Sequence, residues 1–158
     1  MEATPVAVRP ASEEDRVPLA LLFAAVAEER DGIATEPPVD IDARAARWTL
    51  DGTLVAVADA EIVGSIHVGV NRFGFGEIGM TVAREWRSRG VGTALLSAAI
   101  DWSREQELHK LSLDVFPHNA AALALYRKFG FVEEGYRIKQ IRRQSGELWD
   151  VVEMGLLL

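Results

Sequence analysis

The chain of 158 residues contains no cysteine. Disulfide scaffolds, thiolate metal sites, a cysteine nucleophile and a covalent cysteine-acyl intermediate are therefore excluded, and a reducing cytoplasm is the expected compartment. Long apolar runs are also missing. The longest, Leu19 to Ala27, has nine residues, where a membrane-spanning helix needs about 20. The start, Met-Glu-Ala-Thr-Pro, lacks the basic segment of a secretion signal, so no membrane association is expected. Positive charge is in deficit, with 17 Lys+Arg against 24 Asp+Glu and a net charge of −7. Such a chain has no basic field for non-specific nucleic-acid binding, and no nucleic-acid partner is expected. Internal repeats, low-complexity tracts and Ser/Gly linkers are absent as well. What is present is a 49% apolar composition spread evenly from end to end. A chain of this size buries roughly 68–70% of its unfolded surface, so residues 1–158 read as one domain.

Periodicity and breakers divide the chain. Val6 to Arg9 reads as a short strand. Ser12 caps a helix running to about Arg30, with Glu13, Glu14 and Asp15 at the positive end of its dipole. A shorter helix runs from Ile41 to about Leu50. Leu54 to Ala58 and the alternating Ile66, Val68 and Val70 form a hairpin. Glu77 to about Val82 is a further strand, and its interior Gly79 marks a bulge or a place where a ligand meets the backbone. A helix follows Gly90-Val91-Gly92-Thr93, then a strand over Leu111 to Val115, a helix from Asn119 to Phe129, and two strands, about Phe131 to Arg142 and Glu147 to Leu157. The order is β, α, α, β, β, β, α, β, α, β, β, a mixed α/β layer arrangement.

The stretch from Arg87 to Leu96 carries the strongest chemical signal. Glycines sit between a basic loop and the first turn of a helix, where orphan N–H groups and the helix dipole bind phosphate. The plainer reading is a tight turn. A nucleoside-triphosphate loop requires Gly-Lys-Ser/Thr, and Thr93 follows Gly92 instead; a dinucleotide fingerprint requires a third Gly or Ala where Leu95 stands.

Arg87-x-x-Gly90-x-Gly92 follows a strand ending at Val82. Downstream stands Leu113-x-Val115-Phe116-x-x-Asn119-x-x-Ala122-x-x-Leu125-Tyr126-x-x-Phe129-Gly130-Phe131. Together these residues resemble the GCN5-related N-acetyltransferase (GNAT) superfamily, in its branch acting on small molecules. The resemblance covers nearly the whole chain and is strongest from Glu77 to Gly135. It implies a mostly antiparallel, twisted sheet of about seven strands flanked by about four helices. It also implies acetyl-CoA as donor, with pyrophosphate on the amides of Arg89, Gly90, Val91, Gly92, Thr93 and Ala94. The pantetheine arm would lie along the backbone near Thr81, Val82 and Arg84. Asn119, by itself a good N-cap, would also touch pantetheine. Arg84, Arg87 and Arg89 stand near the phosphates, with their amides weighing more than their side chains. A homodimer is the family habit, although no residue here fixes it.

Acetyl transfer from a thioester to an amine makes two proton demands: the attacking ammonium loses a proton and the departing thiolate benefits from gaining one. Tyr126, on one helix face with Ala122 and Phe129, would by itself be a core aromatic; the resemblance makes it the general acid, a role that suits a phenol with an ordinary pKa of about 10. Glu77 is the candidate general base, through water, against the alternative of a solvent-facing carboxylate or hairpin salt bridge. His118 and Asp114 are weaker candidates for the same task. His67 and His109 read as strand or surface histidines. No His/Asp/Glu set has metal-ligand spacing on one element, so no catalytic metal is expected.

The acceptor is less legible. Glu28 to Asp42 holds six acidic residues and only Arg30 as a base; it reads as a cation-attracting wall or simply as a soluble helix end and loop. A carboxylate-bearing acceptor would instead need an arginine, for which Arg72, Arg137 and Arg142 are candidates. A free small amine, amino-acid-like or cationic, attacked directly in a ternary complex, is the leading expectation. Acetylation of a protein N-terminus or lysine comes next, and a non-catalytic acyl-CoA sensor is the reading from another class.

Overall fold

The computed structural model describes residues 5–158. Seven strands form one sheet: β1 (Ala7–Pro10), β2 (Thr53–Ala58), β3 (Glu61–Val70), β4 (Phe75–Val82), β5 (Lys110–Val115), β6 (Val132–Arg142) and β7 (Leu148–Leu157). Their spatial order is β1-β2-β3-β4-β5-β7-β6. Every pairing is antiparallel except β4 with β5. Four helices complete the chain: α1 (Arg16–Glu28), α2 (Ile41–Arg47), α3 (Val91–Glu105) and α4 (Ala120–Lys128).

The first helix differs from the sequence expectation at its start. Ser12 opens a single 3-10 turn, Glu13–Asp15, before α1 begins. Asp15 explains the break: its carboxylate accepts from the Ser12 amide and, bidentately, from Arg9, and it is 5% exposed. The second helix stops at Arg47 rather than Leu50, because Trp48 leaves the helical region at ψ 126°.

Alternation along the strands separates two layers. Leu54, Ile66, Val68, Leu111, Leu113 and Met154 face α3 and α4, whose Leu95, Leu96, Ala99 and Leu123 close the main core. On the opposite face α1 covers β3 and β4 and packs against α2, burying Leu19, Ala20, Leu22 and Val26. Ile78, Met80 and Val82 of β4 pack toward the main core. Glu77, Gly79 and Thr81, one position out of phase, therefore belong to the face shared with α1 and α2.

Candidate active site

The parallel pair at the middle of the sheet is short. β4 and β5 are joined only over Phe75–Glu77 and Lys110–Ser112, although β4 runs on to Val82 and β5 to Val115. Beyond that point the strands part around a cleft of about 750 Å³. The register of β3 with β4 is unbroken from Gly64↔Val82 to Val70↔Gly76. Since Ala83 donates to the Val63 carbonyl, alternation turns the main-chain groups of Thr81 and Gly79 toward β3 and those of the even-numbered residues toward β5; the Glu77↔Ser112 bridge still takes the Ile78 amide, so the Ile78 carbonyl and the main-chain groups of Met80 and Val82 are the ones that face the cleft. The Val82 carbonyl is taken, accepting twice from the Arg87 guanidinium at 3.1 Å.

The start of α3 forms one end of the cleft. Gly90 is its N-cap in the left-handed region, φ 86°, a conformation that costs any residue with a Cβ. A Cβ at Gly90 would meet nothing within 4 Å, so the backbone conformation and not crowding selects glycine. Gly92 answers to packing: a Cβ there would stand 3.1 Å from Leu125 of α4. Ala94 donates to the Gly90 carbonyl at 3.0 Å, which makes Val91, Gly92 and Thr93 the residues whose amides lack an intrahelical acceptor.

Eight of the residues assigned to catalysis or the cofactor line the cleft, Thr81, Val82, Arg87, Gly90, Gly92, Thr93, Asn119 and Tyr126, and so do Gly79 and the weaker base candidates Asp114 and His118. Glu77, Arg84, Arg89, Val91 and Ala94 do not line it. Val91 is 1% exposed in the core, Ala94 spends its amide inside the helix, and Arg89 stacks on Trp86 while donating to the Glu85 carbonyl. Arg87 lines the cleft, but its guanidinium forms a bidentate pair with Glu29 at 2.6 and 2.7 Å. That pairing binds β4 to the end of α1.

Tyr126 is 7% exposed, lines the cleft and meets Phe131 edge-on. Burial pushes its phenol up to about 12, so it is a proton donor at neutral pH. Asn119 caps α4, its side-chain oxygen accepting from the Ala122 amide at 3.3 Å, which leaves its amide NH2 as a donor. Asp114 lines the cleft where Glu77 does not. Partial burial and the charges of Glu153 and Glu77 raise its pKa, while Arg137, itself paired with Glu153, opposes them. The sequence ranks Asp114 only as a weaker candidate base, because its carboxylate neighbours come from β4 and β7.

A second cavity, about 470 Å³, lies under α1 and α2 and shares Ile33, Gly79, Met80 and Thr81 with the cleft. A Cβ at Gly79 would meet nothing within 4 Å, so there is open space beside this shared residue. Phe23, Arg44, Arg47, Trp48, Thr49, Ser65 and His67 complete its wall. Thr53 donates to the Thr49 carbonyl at 2.7 Å and lies 2.8 Å from His67 Nδ1. The only hydroxyl hydrogen being spent, Nδ1 carries the proton and Nε2 keeps its lone pair. Burial lowers the His67 pKa, with Asp51 acting weakly against it.

A sheet that opens beside its central strand, a glycine-started helix at the mouth and a buried phenol within are the architecture of an acyltransferase. Residues 21–131 match the Acetyltransferase (GNAT) family, and the chain belongs to that family. The L-amino acid N-acetyltransferase AaaT of Escherichia coli (strain K12) is 34% identical over 109 residues, 64% of this chain and 65% of that protein. The chain thus matches less than two thirds of that relative's length, and smaller fractions of others. The crystal structure of ribosomal-protein-alanine N-acetyltransferase from Brucella melitensis superposes with TM-score 0.88 at 28% identity, covering 96% of this chain and 99% of that one. The yncA structure from Salmonella typhimurium, solved with its cofactor acetyl-CoA, shares the fold with TM-score 0.87 at 22% identity, covering 97% and 94%.

Proposed function

We propose that the protein transfers an acetyl group from acetyl-CoA to the amine of a small molecule by direct attack in a ternary complex. The observation that carries this reading is the parted β4–β5 pair, which leaves the Ile78 carbonyl and the main-chain groups of Met80 open to the cleft beside the unpaired amides at the start of α3. The open edge suits the amides of a pantetheine arm, and Val91, Gly92 and Thr93 suit its pyrophosphate. In the reaction the amine nitrogen bonds to the thioester carbonyl carbon and the carbon–sulfur bond breaks. Asp114, in the cleft and with a raised pKa, accepts the proton the ammonium loses, directly or through water. Tyr126 gives a proton to the departing sulfur, and the second proton that the nitrogen sheds on becoming an amide restores the phenol through water. Glu77 acts on this chemistry through its charge on Asp114. With no cysteine in the chain, an acyl-cysteine intermediate has no place in the route.

A second reading, acetylation of a protein N-terminus, draws on the likeness to the ribosomal-protein-alanine enzyme. Thiol release from acetyl-CoA with amino acids, polyamines and N-terminal peptides as acceptors, beside calorimetric acetyl-CoA binding, separates the two. Turnover with small amines supports the first reading, preference for peptides the second, and absence of acetyl-CoA binding overturns both.

A further inference from the structure

The second cavity has an unusual charge balance for a chain of net charge −7: its wall includes Arg44 and Arg47 and no aspartate or glutamate. Arg44 is half-buried, its guanidinium 3.7 Å from the centre of the Phe23 ring and 5.1 Å from that of Trp48. Phe23 and Trp48 meet edge-on at 6.1 Å. Arg16 holds the end of α2 in place by donating to the Ala45 and Trp48 carbonyls at 3.1 and 2.6 Å. The planar group of Arg44 is thereby oriented before any ligand arrives. Among the described residues Arg44 and Arg47 are not paired with a carboxylate, as several other arginines are not, but these two are the ones that line a cavity. Burial, and then the like charge of Arg47, disfavour the charged form of Arg44, an imbalance that a bound anion would relieve.

The acidic segment between α1 and α2 does not supply that anion. Glu29 is paired with Arg87, Glu36 with Arg30 and Arg143, Asp31 with His118, and Asp40 accepts from the Ala43 amide. Those carboxylates hold the loop in place. The arginines singled out in the sequence do not line the cavity either: Arg137 is paired with Glu153, and Arg72 stacks on Phe73.

We infer that Arg44, with Arg47 beside it, is the anchor for a carboxylate on the acceptor, which makes the preferred acceptor a free amino acid whose amine reaches the cleft over Gly79. This rests on the acetyltransferase reading for the identity of the reaction, though not for the binding of the anion. A planar guanidinium fixed against aromatic rings suits bidentate recognition of a carboxylate.

The test compares each L-amino acid with its carboxamide and with the corresponding decarboxylated amine, with thiol release as the readout and intrinsic tryptophan fluorescence as a measure of binding without turnover. The expected result is a preference of at least about tenfold in kcat/KM for the free acid, in line with a charge-assisted pair. Arg44→Gln erases that preference, and Arg44→Lys restores part of it. Arg47→Gln, at an exposed position, is the companion change should Arg44→Gln not fold; it reduces the preference and raises KM for the acid. Equal turnover of acid, amide and amine, or a preference for polyamines or peptides, overturns the subsite and leaves the acetyltransferase standing. Acid-selective fluorescence changes without thiol release keep the subsite and overturn the acetyltransferase. No acid-selective change in either readout overturns the subsite.

Discussion

Tyr126 and Asp114 are two acids moved in the same direction by overlapping causes, and the chemistry separates them. Burial alone lifts the phenol to about 12, which keeps it protonated across the working range and able to give its proton away. Tyr126→Phe is expected to lower kcat on the order of a hundredfold while calorimetric affinity for acetyl-CoA is retained; an equal loss of both would remove its role as acid. Asp114 has its pKa raised above 3.8 by burial, Glu153 and Glu77. As a base it works ionised, so the rate falls as pH drops through that raised value. Glu77→Gln removes one of the charges that raise it and should shift the acid limb of the pH–rate profile to lower pH, whereas Asp114→Asn should abolish the limb together with most of the rate. A limb left in place by Glu77→Gln would disconnect the two groups. Spacing on one helix or loop singles out Tyr126, Asn119 and the two glycines in the sequence, and the fold brings all four to the cleft. The sequence ranks Glu77 ahead of Asp114; the two pair with different strands, and the parting of β4 from β5 puts Asp114 in the cleft and leaves Glu77 out.

At the scale of elements, the two glycines that open α3 serve separate ends. Gly90→Ala keeps the space but meets a φ of 86°, and about 1–2 kcal/mol of stability should be lost. Gly92→Ala keeps the conformation but brings a methyl to 3.1 Å from Leu125. It should act on the α3–α4 contact, with a smaller loss if Leu125 gives way. Equilibrium urea unfolding of the two variants checks this order. The helices and strands themselves followed from local patterning, since α3 and β5 carry clean apolar periodicity with glycine and proline stops. The second cavity is not legible for the opposite reason. Arg44 and Arg47 stand on α2 with Trp48 just beyond it, but Phe23, which packs against Arg44, comes from α1, and the wall opposite comes from β3 and β4. The acidic segment reads either as a cation-attracting wall or as a soluble loop, because its partners Arg87, His118 and Arg143 lie 58 to 107 positions away in the chain, beyond any local pattern.

Across the whole molecule, the segment between α1 and α2 is riveted to the β6–β7 end. Arg143 is 4% exposed and donates to the carbonyls of Arg30, Ile33 and Ala34 while its guanidinium faces Trp149 at 4.1 Å. Arg143→Ala leaves those carbonyls without their donor and should cost about 2–4 kcal/mol in urea unfolding. The ion pairs set the response to acid. Glu29 and Asp15 are held below their ordinary 4.5 and 3.8, chiefly by hydrogen bonds from Arg87 and Arg9. Groups lowered in the folded state contribute stability above those values and lose it as pH falls through the folded ones. Thermal midpoints should therefore hold near neutrality and decline below about pH 4.5, less steeply in Glu29→Gln. The parted strand has one more consequence, written in the exchange of single protons. Along β4 the amides of Gly79 and Thr81 are committed to β3 and that of Ile78 to β5, whereas that of Met80 faces the cleft. In the free protein, hydrogen–deuterium exchange should be fast at Met80 and slow at 78, 79 and 81. A donor lying along this edge would slow Met80 and leave its neighbours as they were, so one amide among four would report whether the sheet has gained its missing strand.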